Sequence, residues 1–495
     1  MTVQLPSTED GFCGVSGSET LYDFINDVRE QSHLPVLSSA VLDGITTYFD
    51  ELITRARAQN FFESVLPFMG ALAFRLPALL NDHFAQSKNV SSQIKLVALR
   101  VLEAQQPGLV YMSQELVAAI LACAFLCLFP LEGRAKARLP YFSFERLFQR
   151  ISPQQEQKLH CLMHYFARVT QDMPHGMISF ERKVLPRDGQ QPEVYSPISE
   201  PSESYWSNSS SSFCPIQVFE TGMIEDHSTE ALEVDFANQY LGGGVLGHGC
   251  VQEEIRFVIS PELLAGMLFM PAMHSNEAIE IRGAERFSCY TGYASSFCFA
   301  GDYIDSKPRD RQGRRETRIV AIDALIHPEN HQYEKALVLR ETNKAFCGFL
   351  DHLDVHFSDL VSHFTGMEPC NSALFLDHAV KTSKRTSTMG IATGNWGCGA
   401  FGGDVEMKSL LQWMAASQAG RPFLYYYTFG CSHGRKLQQV ADWILNEKWV
   451  VGELWGLLVE FGKKKLEGIN RRGLFDWLVP HLSKQNGATE NEIRG

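Results

Sequence analysis

The spacing of apolar residues changes character near residue 170. Before it, Leu21–Val28, Val41–Ala58, Phe61–Leu80, Ser92–Leu102 and Pro153–Val169 carry apolar residues three and four apart, which predicts helices. Strand-like alternation is scarce there. The longest apolar run, Leu116–Phe129, is shorter than the ~20 residues that span a bilayer. Ser113 and Glu115 before and at its start suit a helix N-terminus, so it reads as a buried core helix. A serine-rich stretch, Tyr195–Ser212, reads as a long surface loop. Beyond it Glu230–Asn238, Glu277–Gly283, Arg318–Leu325 and Pro422–Phe429 read as strands. Helical patterns lie at Pro261–Met270, Lys335–Leu350 and Val405–Gln418, and two more follow at Lys436–Lys448 and Val451–Leu466. Strands alternating with helices predict an α/β layer with helices covering a sheet.

At 495 residues, with 45% hydrophobic and 20% charged residues, the chain can bury a sizeable core and is neither disordered nor fibrous. Its net charge of −13 argues against holding nucleic acid by bulk charge. Any polyanion must be held locally, by backbone N–H groups and a few placed cations. The twelve cysteines form no C-x-x-C pair. The start, MTVQLPSTEDGF, lacks the basic and apolar regions of a signal peptide, so the cysteines are expected to be reduced thiols of an intracellular protein. His160, Cys161 and His164 share about one helical turn, but no further ligand lies near, so packing is favoured over metal binding.

Two glycine-rich loops sit where a strand pattern gives way to a helix pattern: Gly242–Gly249 and Gly394–Asp404. Glycine lets the backbone take positive φ and approach a ligand closely, and clustered N–H groups make an anion-binding nest. The bland alternative is a pair of tight turns. Both loops spell G-x-G-x-x-G, yet the first runs into Gln252-Glu253-Glu254, whose charges would repel a pyrophosphate docked as in a dinucleotide-binding fold. No P-loop G-K-[ST] is present. Glu253 and Glu254 fit an acidic first helical turn. They also fit a carboxylate set beside a phosphate-bearing ligand, able to protonate a leaving oxygen and then activate water. Gly430-Cys431-Ser432-His433-Gly434 spells a nucleophile elbow, but only Asp442, Asp476 and His481 remain as partners, and the strands that would carry them are missing.

Together, V-D-F-A-N, Gly242-Gly243-Gly244 and Gln252-Glu253-Glu254 resemble the signature of the poly(ADP-ribose) glycohydrolases, in wording nearest the plant members. Gly222–Glu225, Tyr290–Ala294, Val320–Leu325, Thr393–Asp404 and Tyr427–Gly430 match as well, so the resemblance covers roughly residues 171–470. It implies a macrodomain, a three-layer α/β/α sandwich around a mixed sheet, with an N-terminal all-helical accessory region. The expected boundaries are 1–170 for the helical region, 171–480 for the catalytic domain and 481–495 for a flexible tail.

The resemblance implies hydrolysis of ribose–ribose O-glycosidic bonds, leaving the protein-proximal ADP-ribose attached, with no cofactor and no metal. Glu254 would be the acid/base, Glu253 would hold ribose hydroxyls, and Asp235 and Asn238 would flank the site, with Gln252 in support. Gly243 and Gly244 belong to the first phosphate-cradling loop. Gly399, Ala400 and Phe401 would offer N–H groups to the diphosphate. Ile224 and Glu225 would recognise adenine, and Tyr293 and Phe429 would pack on adenine and ribose. The expected partners are poly(ADP-ribose) and proteins carrying it, without duplex nucleic acid or membrane, and the expected state is a monomer in nucleus and cytoplasm. His248 reads as a solvated loop residue. The basic run Lys307–Arg318 reads as a contact to polymer phosphates, an import signal or a solvated loop. A macrodomain that only reads ADP-ribose needs no carboxylate at the glycosidic bond, and the two glutamates count against that alternative.

Overall fold

The computed structural model describes residues 14–89, 101–187, 198–227, 230–351, 389–431 and 434–478. An eight-stranded sheet divides the molecule. Its strands are β1 (Gly108–Ser113), β2 (Met177–Val184), β3 (Ile216–Phe219), β4 (Ala231–Ala237), β5 (Glu277–Arg282), β8 (Arg318–Asp323), β9 (Gly390–Gly394) and β10 (Leu424–Tyr427), in the order β1-β2-β5-β8-β4-β9-β10-β3. From β8 to β3 every pairing is parallel, and from β1 to β8 every pairing is antiparallel. β6 (Ser288–Thr291) and β7 (Cys298–Asp302) make a separate hairpin.

Period-two alternation sorts side chains to the two faces of the sheet. Ile279, Ile281, Ile319 and Ala321 pack with the N-terminal helices. Ala278, Val320, Ile322, Leu232 and Val234 pack with the helices Lys335–Phe349, Val405–Gln418, Gly434–Asn446 and Val451–Leu466. Helices on both faces of one mixed sheet make the expected three-layer sandwich.

The N-terminal region is helical apart from β1, which forms the edge of the main sheet. Its helices depart from the simple pattern in places. The run Val41–Ala58 breaks after a π-helical turn at Thr47–Leu52, and a new helix starts at Arg55 with Thr54 as its N-cap. Gln114–Phe125 is the expected buried helix, with Ser113 Oγ accepting the Leu116 N–H at 3.1 Å. The helical stretch Arg55–His83 is long and apolar enough to cross a membrane, but Phe61, Phe62, Leu66, Met69 and Leu72 in it join the core. The expected helix Ser92–Leu102 falls mostly outside the described residues, and Pro261–Leu268 is 3-10 rather than α.

The stretch Tyr195–Ser212 is not simply a surface loop. Glu203–Ser207 forms one helical turn capped by Ser202, and Trp206 is fully buried. Its ring stacks on Trp455 with centroids 6.1 Å apart, and its indole N–H donates to Asn343 Oδ1 at 2.8 Å. The serines disguised one large aromatic anchor.

Candidate active site

The carboxyl ends of parallel strands in an open α/β sheet form a natural ligand crevice. Here Phe236 and Ala237 end β4, Ala324 follows β8, Gly394 ends β9 and Tyr427 ends β10, and all of them line one cavity of about 350 Å³. Ile224, Glu225, Tyr290, Tyr293, Val251, Gln252, Arg256, Phe429 and the loop from Gly394 to Phe401 complete its walls. The expected adenine and diphosphate residues are therefore gathered around one space. Tyr293 and Phe429 lie ring to ring, with centroids 4.8 Å apart and planes at 58°. Phe429 is 53% exposed, an apolar face left open at the rim. The Tyr290 hydroxyl donates to Glu225 at 2.9 Å and fixes that carboxylate at the cavity wall.

The first glycine loop leads from β4 to the helix Gln252–Ile259. Gly242 and Gly243 adopt φ of 82° and 50°, the region that favours glycine. This turn folds the loop back over the start of the helix. Glu253 accepts the Asn238 N–H at 2.8 Å and the Gly242 N–H at 2.7 Å. Glu254 accepts the Gly244 N–H at 2.9 Å and the Val251 N–H at 2.9 Å. The Val251 bond belongs to a capping box. The acidic-first-turn reading of these glutamates is thus realised, and both side chains also face the glycine loop. Gln252 joins the same construction, taking the Phe236 N–H at 2.8 Å and giving its amide to Val234 O at 3.2 Å. Asn238 Oδ1 accepts the Tyr240 N–H at 3.0 Å.

Glu253, Glu254, Asp235, Asn238, Gly243 and Gly244 are not among the cavity's lining residues, whereas Val251 and Gln252, next to the glutamates, are. The two carboxylates are buried and lie beside the cavity rather than inside it. A Cβ built on Gly243 would come within 2.7 Å of both glutamate carboxylates, and one on Gly249 within 2.4 Å of Glu254. The loop and the acids are in contact with no room between them.

Asp235 is buried on β4, and neither of its carboxylate oxygens has a hydrogen-bond partner among the described residues. Burial, then the neighbouring charge of Glu254, holds its carboxyl well above the ordinary range, against the pull of Arg256. Glu253 is also pushed well up, by burial and by Asp235 and Glu254, with the two backbone N–H donors opposing. Buried carboxylates crowded together cannot all ionise at once. Burial and crowding thus favour the protonated forms of Asp235 and Glu253.

The second loop carries its positive φ at Gly397 and Gly402, not at Gly399. A Cβ on Gly397 would meet Ala324 Cβ at 2.5 Å, while one on Gly399 would meet nothing within 4 Å. Gly399 and Ala400 are exposed at the loop's tip. The helix behind the loop is capped by its own Asp404, which accepts the Glu406 and Met407 N–H groups at 2.8 and 3.2 Å. The helix thus spends its first N–H groups on its own cap, and within the loop the Trp396, Cys398, Gly402 and Gly403 N–H groups donate to loop carbonyls.

Sequence reasoning overlooked several residues around the site. Arg256 lines the cavity and pairs with Glu233 at 2.9 Å. Asn395 ties the second loop to the strand beside it, giving its amide to Thr428 O at 2.9 Å and accepting the Tyr426 hydroxyl at 3.1 Å. Lys158 reaches the first loop from the helical region. The Q-E-E-I-R register could have disclosed Arg256, since Glu253 and Arg256 lie three apart on the helix.

The other candidates resolve into structure. His160 contacts the Tyr48 hydroxyl at 3.2 Å and Glu156 at 3.4 Å, and His164 pairs with Asp302 at 2.8 Å. No cluster suited to a metal exists among the described residues. His248 is exposed. Ser432, His433 and His481 of the elbow reading lie outside the described residues, while Asp442 is bonded to Gln438 and Asp476 to Lys436. In the basic run, Lys307, Arg309, Arg314, Arg315 and Arg318 are engaged by Asp305, Glu285, Asp310, Glu280 and Asp351. Ion pairing within the fold therefore accounts for most of that run.

Residues 203–436 match the family model of the poly(ADP-ribose) glycohydrolase macrodomain fold, and residues 53–182 match the model of its helical domain. Poly(ADP-ribose) glycohydrolase 1 of Arabidopsis thaliana is 43% identical over 96% of this chain and 92% of its own. The probable glycohydrolase 2 of the same plant is 43% identical over 95% and 91%. Poly(ADP-ribose) glycohydrolase 1 of Caenorhabditis elegans is 33% identical over 65% of this chain and 37% of its own. With both family models matched and the two Arabidopsis relatives covered over nearly their whole length, the chain belongs to the poly(ADP-ribose) glycohydrolase family, in its plant form.

Proposed function

We propose that this glycosidase cleaves the ribose–ribose O-glycosidic bonds of poly(ADP-ribose), with Glu254 as the acid/base. The observation that carries this reading is the clamped glutamate pair, held by backbone N–H groups beside a cavity lined by the aromatic rings of Tyr293 and Phe429 and by the second glycine loop.

An ADP-ribose unit would place its adenine against Tyr293 and Phe429, with Ile224 and Glu225 at its edge. Its diphosphate would lie on the amides of Gly399, Ala400 and Phe401. Its distal ribose would point toward Asn238 and its ribose hydroxyls toward Glu253, at the cavity's edge, with Asp235 buried behind them and Gln252 tying the helix to β4 through Phe236 and Val234. Glu254 gives its proton to the departing ribose oxygen as the bond to the anomeric carbon breaks. The positive charge left on the sugar is oxocarbenium-like. A water then attacks that carbon and returns a proton to Glu254, which restores the acid. The neighbouring Glu253 cannot serve as an opposed second carboxylate, because the paired acids of ordinary glycosidases flank the bond from opposite faces.

Nothing in Asp235, Asn238 or the glutamates suits an amino-acid leaving group, so digestion stops with one ADP-ribose on the modified protein. Mass spectrometry of an automodified protein after exhaustive digestion tests this. Single ADP-ribose units at the modified side chains are expected, and bare side chains at all sites would contradict the bond specificity. The proposal includes a monomer acting in nucleus and cytoplasm and away from membranes; duplex nucleic acid is left out because a chain of net charge −13 does not hold it by bulk charge.

A further inference from the structure

Lys158 lies on the helix Pro153–Gln171, in the helical region rather than the macrodomain. Its side chain is fully buried, which is rare for lysine. The ammonium donates to Val245 O at 2.8 Å, Gly247 O at 2.6 Å and Gly249 O at 2.7 Å. Three protons meet three carbonyls, so the group's donor capacity is filled. All three carbonyls belong to the segment that joins Gly244 to Val251, whose own N–H groups hold the Glu254 carboxylate. The same segment coils on itself, with the Gly247 and Gly249 N–H groups both donating to Gly244 O. Gly249 is the residue that abuts Glu254. Burial pushes the Lys158 amine down to about 8, and the nearby Cys250 and Glu254 side chains oppose that shift.

We propose that Lys158 is a positioning residue for the catalytic carboxylate, a cation that the helical region inserts to hold the glycine loop against Glu254. The inference rests on the reading of Glu254 as the acid/base and explains what the helical region contributes to the chemistry. Val245 and Leu246 anchor this loop through side chains buried in the core, but apolar packing gives its three inward carbonyls no donors, and the ammonium does. Without the ammonium those carbonyls would be buried and unpaired.

The test uses the full chain with Lys158→Met, which keeps the length and removes the donors, and Lys158→Gln, which keeps part of them. Hydrogen exchange of peptides covering residues 242–252 is measured together with kcat and KM on poly(ADP-ribose) and ADP-ribose affinity by calorimetry. Lys158→Met is expected to speed exchange in this loop and to lower kcat by ~10-fold or more, the scale of a misplaced catalytic group. KM and ADP-ribose affinity stay near wild type, because Lys158 and its three acceptors lie outside the cavity walls. Lys158→Gln should be intermediate in both exchange and kcat, and it supplies the answer if the methionine variant does not fold. A folded variant with wild-type exchange and kcat would overturn the proposal, and so would an equal loss of kcat and ligand affinity with exchange raised throughout the chain. Glu254→Gln assayed in parallel separates the two readings. If it stays active, the assignment of Glu254 fails whatever the loop does; if it is inactive while Lys158→Met turns over normally, the Lys158 proposal alone fails.

Discussion

Glu254 accepts the backbone N–H of Gly244, ten residues before it, at 2.9 Å, so the acid and the glycine loop form one unit. A side chain on Gly249 would run into that carboxylate and into the Gly244 backbone. Gly249→Ala should therefore lower kcat by about 10- to 100-fold, the cost of shifting a reacting group by around an ångström. ADP-ribose affinity should change little, because Gly249 does not line the cavity. Steady-state kinetics beside calorimetry will show the split. A variant with wild-type kcat would mean that this contact does not set the acid's position.

Phe429 presents an open ring beside Tyr293. If the adenine stacks there, Phe429→Ala should weaken ADP-ribose binding by about tenfold or more, since base–aromatic stacking is worth ~1–3 kcal/mol. Phe429→Trp should keep most of the affinity. Alanine retains the same unfavourable positive φ as phenylalanine, so the fold is an even comparison. Equal affinities for the alanine variant and wild type would remove Phe429 from the site.

Gly399 stands free at the tip of the second loop and has no positive φ to lose. Gly399→Val should melt like wild type yet bind ADP-ribose more weakly, because the new side chain enters the space where the diphosphate meets the loop amides. Undiminished affinity in the calorimeter would show that the diphosphate lies elsewhere.

Asp235 gives a pH prediction. Its folded carboxyl is held well above the ordinary value by burial and by Glu254. At low pH the folded and unfolded chains both keep the proton. As pH rises past the ordinary carboxylate range the unfolded chain ionises and the folded one does not, so this group costs the fold stability until the folded group also ionises. Asp235→Asn removes that cost. The melting temperature of the variant relative to wild type should rise as pH climbs above the ordinary aspartate value of 3.8, whereas a constant offset would mean that Asp235 is already ionised in the fold.

Much of this was legible because local chemistry and fold agreed. β4, β5, β8 and β10 show as short runs rich in apolar, β-branched or aromatic residues, and the glycine loops announce themselves by composition. β2 did not, because Glu181, Arg182 and Lys183 in its middle look solvent-facing but are buried. Arg182 pairs with Glu277, and Lys183 pairs with Glu280 at 2.5 Å, both across to β5. Three cations hold Glu280 far below the usual carboxylate range against the effect of burial. β9 reads G-I-A-T-G, too short and too rich in glycine to show as a strand, although its position between β4 and β10 places the second loop. Lys158 was invisible for a further reason: a lysine on an amphipathic helix reads as surface until a loop ninety residues away supplies its acceptors.

Glu254→Gln puts the central claim to its most direct test. Glutamine keeps the shape and an acceptor for the Gly244 N–H but carries no titratable proton. Purified labelled poly(ADP-ribose) is incubated with the wild-type chain and with the variant, free ADP-ribose is followed over time, and ADP-ribose affinity is measured for both. The account predicts release by the wild type, loss of turnover by ~10²-fold or more in the variant, the usual scale for removing a general acid/base, and retained affinity. Turnover by the variant near the wild-type rate would contradict it.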